Sequence, residues 1–264
     1  MTLVQQSTRR WSAGWTGADG PVVAITGASK GIGRTLAVGL AARGARVGLL
    51  SRDRARIDEA RHEIARSGGE AVAVRTDVTD VESVEAALDV VANTFGRLDA
   101  AIANAGITEV GPAESTSAES FRRVVDTNLT GVFITAAAAG RRLLAAGGGS
   151  LVLIGSTFAS SAIVDWAAYS ASKAGVVQLG KVLALEWASR GVRVNVVCPT
   201  ATLTDQNREL FEDEAFKAAI VSRIPLGRLL ETEELVGPVA FLISPDAAMV
   251  TGQALYVDGG WTLP

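Results

Sequence analysis

Val22-Val23-Ala24-Ile25-Thr26-Gly27-Ala28-Ser29-Lys30-Gly31-Ile32-Gly33 runs from a short apolar segment straight into a glycine turn. A run this short is too brief for a free-standing helix, and apolarity without alternation marks a strand buried on both faces. The glycines permit a tight turn and let backbone N–H groups face a pyrophosphate at the start of the next helix. Their spacing is Gly-x3-Gly-x-Gly. The turn lacks the Gly-Lys-Ser/Thr ending of a nucleoside-triphosphate loop, which argues against a kinase or ATPase.

The same alternation continues to the end of the chain. Strands are expected at Val22–Thr26, Val47–Leu50, Ala71–Arg75, Ala100–Ala103, Leu151–Ile154, Val192–Val197 and Ala254–Val257. Helices are expected at Ile32–Ala42, Arg54–Arg66, Val81–Phe95, Ala118–Ala146, Ala167–Ala188 and Glu233–Ile243. Strand alternating with helix predicts an α/β protein: a doubly wound, parallel, seven-stranded Rossmann-type sheet in one domain. Its ligand crevice should lie at the carboxyl ends of the strands. Residues 21–264 form that domain in this reading. Thr200–Arg228, mixed apolar and charged, reads as a lid over the crevice, and 1–20 as a flexible extension carrying Trp11 and Trp15.

Composition narrows the function. The 264 residues are 48% apolar and 20% charged, with net charge −3, so no global basic field favours nucleic acid or an anionic membrane. The single cysteine, Cys198, cannot make an internal disulfide, and reads as a buried small hydrophobe. The lone histidine, His62, sits in a polar helical run, which speaks against Ser-His-Asp chemistry and a histidine metal site. No metal is expected. The first 20 residues hold no apolar signal core and no later run suits a bilayer span, so the expected location is cytoplasmic.

The second strand speaks to the cofactor. Nicotinamide folds that choose NAD carry an acid about 20 residues past the glycines to bond the ribose 2′-hydroxyl. Here the strand ends in Ser51-Arg52, with no carboxylate at its tip. Arg52 can bond a 2′-phosphate bidentately, and Lys30 in the glycine turn approaches it from the other side. These features favour NADP(H), with NAD(H) the alternative. Asp53 either turns away or neutralises Arg52.

Tyr169-Ser170-Ala171-Ser172-Lys173 places a phenol and an ammonium on one helix face. A free phenol, with a pKa near ~10, is a poor base at neutral pH. A fixed cation favours phenolate, so Tyr169 can exchange a proton with an alcohol or alkoxide. Ser156 follows the fifth strand, where its hydroxyl can bond a substrate oxygen. Asn104-Ala105-Gly106 follows the fourth strand, and Asn128 lies within a long helix, where an asparagine is unhelpful unless its side chain is used.

Thr26–Gly33, Asn104–Gly106, Asn128, Ser156, Tyr169 and Lys173 together resemble the short-chain dehydrogenase/reductase family over residues 21–264. The resemblance implies that Tyr169 is the general acid/base, that Lys173 bonds the nicotinamide ribose and lowers the Tyr169 pKa, and that Ser156 orients the carbonyl. It implies that Asn128 holds a relay water, and that Asp77 and Val78 meet the adenine. Gly27, Ser29, Lys30, Gly31, Ile32, Gly33, Ser51, Arg52, Asn104, Ala105 and Gly106 would border the cofactor. In Pro199-Thr200-Ala201-Thr202-Leu203-Thr204 the family usually has Gly after Pro, and Thr200 departs from that. Thr202 is still implied to reach the carboxamide, and Thr204 the phosphates. The ending Gly252-Gln253…Val257-Asp258-Gly259-Gly260 resembles a family segment found at subunit interfaces, implying a homotetramer.

For the substrate, Thr157, Phe158, Asp165 and Trp166 are pocket candidates, with Ser156 and Tyr169 at the reacting group and Arg208 in the lid. With Pro199-Thr200 they point to a sugar, polyol or sugar acid, as in gluconate or xylulose reductases. A 3-oxoacyl thioester reductase is the alternative, needing a basic patch for an acidic carrier protein to which Arg141-Arg142 would contribute. A non-catalytic NADP(H)-sensing module is the alternative from another class. It would need the glycine turn but not the Tyr/Lys/Ser set.

Overall fold

The computed structural model describes residues 20–204 and 211–263. The expected 1–20 extension, with Trp11 and Trp15, and the lid residue Arg208 lie outside those residues, apart from Gly20. Seven strands form one sheet: β1 (Val22–Thr26), β2 (Arg46–Ser51), β3 (Glu70–Arg75), β4 (Ala100–Ala103), β5 (Gly149–Ile154), β6 (Val192–Pro199) and β7 (Ala254–Val257). Their spatial order is β3-β2-β1-β4-β5-β6-β7, and every pairing is parallel. The chain winds outward from β1 one way, then returns beside it through β4. This reversal opens the crevice between the ends of β1 and β4.

The helices are α1 (Gly31–Ala41), α2 (Arg54–Arg66), α3 (Val81–Phe95), α4 (Ala118–Val125), α5 (Gly131–Ala145), α6 (Ala167–Trp187), α7 (Glu214–Val221) and α8 (Val236–Ile243). On one sheet face Leu36 and Leu40 of α1, Ile57 and Ile64 of α2, and Val239 of α8 pack against Ile25, Leu49 and Ile102. On the other, Leu88 and Val91 of α3, Leu143 of α5 and Val176 of α6 pack against Ala24, Leu151 and Leu153. Each such side chain contributes about 1.5–3 kcal/mol on full burial. Burial on both faces explains why the strands read as unbroken apolar runs. Cys198 is fully buried and His62 is exposed on α2. No helix among the described residues is long and apolar enough to cross a membrane.

Three stretches differ in detail. The helix expected at Glu233–Ile243 opens as a 3-10 turn, Thr232–Leu235, before α8. The long helix expected at Ala118–Ala146 is interrupted between α4 and α5 by a π-helical turn, Asp126–Thr130. The wider turn accommodates the extra residue that brings Asn128 inward, and such turns recur at functional sites. Within the lid stretch a true helix forms: α7, N-capped by Asp213, whose carboxylate accepts from the N–H groups of Ala215 and Phe216.

Candidate active site

Residues that open on the crevice descend from strand ends. After β1 the chain turns at Gly27 with φ +69°, a left-handed conformation that suits glycine. Gly33 closes the turn from behind: a Cβ there would sit 2.3 Å from the Gly27 carbonyl oxygen. Asn104 locks the arrangement, its Nδ2 donating to the Thr26 carbonyl at 2.9 Å while its own N–H donates to the Thr26 hydroxyl at 3.0 Å. The N-terminus of α1 carries no side-chain cap and no acid in its first turn. Its leading N–H groups therefore face the crevice with the positive end of the helix dipole. Those donors, and glycines with no room for a Cβ, fit the diphosphate of a dinucleotide.

One cavity of about 330 Å3 runs along these strand ends. Lys30, Ser51, Arg52 and Asp77 line it at one end, and Ser156, Tyr169 and Lys173 at the other. Asp53 turns away from Arg52: it caps α2 through the Arg56 N–H at 3.1 Å and pairs with the Arg56 guanidinium at 3.5 Å. The Ser51 hydroxyl donates to that of Ser29 at 3.0 Å, tying the two loops together at this end of the cavity. The Asp77 carboxyl is held below its ordinary range, first by the Thr79 N–H and hydroxyl and then by Arg52 and Arg75.

At the far end, Tyr169 sits in an aromatic wall. Trp166 and Phe158 meet its ring edge-on, with centroids 5.4 and 6.1 Å away. Burial pushes the phenol above its ordinary pKa, and the bond to the Ser156 hydroxyl opposes that rise. The Lys173 ammonium lies 5.6 Å from the ring centroid and donates to the Ile154 carbonyl at 2.8 Å. Only 4% exposed, it is itself pushed down to about 8 by burial. The phenol is therefore protonated at neutral pH, ready to donate to a carbonyl oxygen. Ser156 accepts from the Phe158 N–H at 3.2 Å, which fixes its side chain at the end of β5.

Most residues singled out from the sequence converge on this cavity. Gly27, Ser29, Gly31, Ile32, Val78, Ala105, Gly106, Pro199, Thr202 and Thr204 line it too, as do Thr157, Phe158 and Trp166. Gly33 and Asn128 do not. The Asn128 amide is committed elsewhere: Oδ1 accepts from the Ile107 N–H at 2.7 Å, and Nδ2 donates to the Ile107 carbonyl at 2.9 Å and to the Ser172 hydroxyl at 3.3 Å. Its side chain positions the loop after β4. Asp165 is exposed, has φ +70°, accepts from the Gly111 N–H and does not line the cavity. Arg141 and Arg142 are ion-paired with Glu85, and Arg142 also with Asp89, so they present no unpaired basic patch. Sequence reasoning missed Thr76, Ile107, Thr108, Ile163, Phe216 and Ile220, which line the cavity from loops and from α7. The one available signal was the apolar spacing of Phe216 and Ile220 in a charged stretch.

A family model described as enoyl-(acyl carrier protein) reductase matches residues 27–262. A D-threitol dehydrogenase from Mycolicibacterium smegmatis is 38% identical over 248 residues, covering 93% of this chain and 94% of the relative. This chain belongs to the short-chain dehydrogenase/reductase family. A 3beta-hydroxysteroid dehydrogenase 1 from Eggerthella lenta is 40% identical over 248 residues, covering 92% and 94% of the two chains. Among solved short-chain dehydrogenases, a gluconate 5-dehydrogenase from Burkholderia cenocepacia J2315, in complex with NADP and tartrate, superposes with TM-score 0.89 at 34% identity. That match covers 93% of this chain and 96% of the other. Membership of the family makes the protein an NAD(P)-dependent oxidoreductase acting on alcohol and carbonyl groups.

Proposed function

We propose that this enzyme uses NADP(H) to interconvert a secondary alcohol and a carbonyl on a small hydroxylated substrate, a sugar, polyol or sugar acid. One observation carries the reading: Ser156, Tyr169 and Lys173 open on the same cavity as the α1 N-terminus and Arg52. NADP(H), when bound, supplies or takes up the hydride. Gly27, Gly31, Ile32 and the α1 N–H groups hold its diphosphate, with Gly33 closing the turn. Arg52 and Lys30 hold the 2′-phosphate, beside Ser29 and Ser51. Asp77 and Val78 flank the adenine, and Asn104, Ala105 and Gly106 the ribose side. Pro199, Thr202 and Thr204 lie along the nicotinamide and phosphates, and Lys173 bonds the nicotinamide ribose. In reduction Tyr169 gives its proton to the substrate oxygen while Ser156 polarises it; in oxidation Tyr169 takes the proton back.

Arg52→Ala should weaken NADPH by about tenfold to a hundredfold, the worth of a charge-assisted contact. NADH, lacking the 2′-phosphate, should change little. Equal losses for both, measured by fluorescence titration, would remove Arg52 from the phosphate site.

Two buried hydroxyls support a hydroxylated substrate. Thr157 and Thr200, 1% and 7% exposed, line the cavity, and neither Oγ1 has a hydrogen-bond partner. An unpartnered buried hydroxyl is costly, and a substrate hydroxyl or its water would satisfy it. The aromatic wall of Phe158 and Trp166 suits the C–H face of such a molecule. Thr200→Val should raise KM for D-erythrulose by about tenfold, the cost of one lost hydrogen bond, and leave cyclohexanone reduction unchanged. An equal change for both substrates would deny Thr200 a hydroxyl-reading role.

A screen of NADPH oxidation over ketoses, keto acids and 3-oxoacyl thioesters, with NADP reduction over polyols, tests the whole reading. Turnover confined to acyl thioesters would favour the acyl reductase. Tight NADPH binding with no turnover would favour a sensing module. Residues 21–264 act as one catalytic domain with a lid at about 200–228, in a cytoplasmic homotetramer.

A further inference from the structure

We infer that Trp261, in the tail after β7, is a positioning residue that couples the lid to the aromatic wall beside Tyr169. The proposal rests on the reading that this wall receives the substrate. Trp261 is 3% exposed and does not line the cavity, yet it touches both sides of it. Toward the lid, it shares a buried cluster with Phe211, Ile220 and Ile224, and the Arg223 guanidinium lies over its ring, 4.2 Å from the centroid. Toward the catalytic loop, its indole N–H donates to the Ser161 hydroxyl at 2.9 Å. Ser161 in turn donates to the carbonyl of Thr157 at 3.0 Å, the residue next to Ser156. Phe158 links ring to ring, with centroids 6.1 Å from both Trp261 and Tyr169.

The tail is built to hold this position. Asp258 Oδ1 accepts from the Gly260 N–H at 2.9 Å, and Oδ2 accepts from the N–H and hydroxyl of Thr262 at 3.0 and 2.7 Å. Gly259, at φ +59°, lets the lid seat: a Cβ there would lie 2.7 Å from Ile224 Cγ2, and the Gly259 carbonyl accepts from the Leu226 N–H at 3.1 Å. A lid anchored through one indole moves with the segment that carries Ser156. Lid position and catalytic-serine position are thereby linked.

Hydrogen exchange on the NADPH-loaded enzyme reads this link without turnover. Trp261→Leu should speed amide exchange both in α7 and in the Ser156–Ser161 segment, leaving β1, β4 and β5 protected as in the wild type. Trp261→Phe keeps the ring but not the donor, and should speed the Ser156–Ser161 segment while sparing α7. Arg223→Ala, a change at an exposed lid residue, should speed α7 and, through the indole, more weakly the Ser156–Ser161 segment. Trp261→Leu should also raise KM for D-erythrulose by about tenfold with a smaller change in kcat, as small misplacements of a binding wall do. Unchanged exchange in both segments, or acceleration spread equally through the central strands, would overturn the proposal. Should Trp261→Leu fail to fold, wild-type exchange in both Trp261→Phe and Arg223→Ala would overturn it equally. Inactivity on every carbonyl would instead end the oxidoreductase reading, and exchange would still decide the coupling.

Discussion

Tyr169→Phe should lose about a thousandfold in kcat, within the range that a positioned acid or base supplies. NADPH affinity should stay close to wild type, because the phenol's contribution is proton transfer. The substitution is isosteric apart from the hydroxyl. Edge-on contacts with Phe158 and Trp166 survive it, and only the bond to Ser156 is lost. Thermal stability should therefore change little, which separates a chemical loss from a folding loss. Stopped-flow and steady-state NADPH oxidation check this. A variant with near-normal kcat would assign the proton to another group.

Lys173→Met should be almost as inactive, yet no less stable at pH 7. The ammonium is buried, and its pKa falls from 10.5 to about 8. At about 1.4 kcal/mol per pH unit, that is about 3 kcal/mol of unfavourable burial. The sign follows from linkage. Below pH 8 the lysine is charged in both folded and unfolded chains, and the penalty is fully present. Between about 8 and 10.5 the folded protein releases the proton while the unfolded chain keeps it, so stability rises with pH. Burial pushes the Cys198 thiol up to about 11, and burial also raises the Tyr169 phenol; both act oppositely at alkaline pH, but both remain in the variant. The stability difference between wild type and Lys173→Met should therefore move in favour of the wild type from pH 8 to 10.5. Denaturant unfolding at several pH values measures it. A difference flat across that window would contradict a desolvated ammonium. An inactive variant of equal or greater stability would mean that Lys173 is kept for chemistry at a cost in folding.

The fold was legible because its strands are buried on both faces. Val22–Thr26, Ala100–Ala103 and Ala254–Val257 are strands over the expected bounds, and the remaining strands differ only at their ends. The site was legible where chemistry is written in short spacings. Tyr169 and Lys173 share a helix face by arithmetic, and Gly27, Gly31 and Gly33 mark a turn. What sequence could not carry is set by tertiary contact. Helical spacing does not reveal that Lys173 donates to Ile154, 19 residues away, and so does not give the direction of the Tyr169 shift. The π-helical turn that swings Asn128 onto Ile107 has no compositional mark. The bond from Trp261 to Ser161 joins residues 100 positions apart, and no local pattern predicts it.

The central claim is that Tyr169 passes a proton to a substrate carbonyl in a cavity that also holds NADPH. It is tested most directly by a single turnover with NADPH deuterated at the transferring position and D-erythrulose, product analysed by mass spectrometry. Deuterium on the new carbinol carbon with the wild type, and almost none over the same interval with Tyr169→Phe, is the predicted result. Labelled product formed at the same rate by both proteins, or a wild-type product without deuterium, would contradict it.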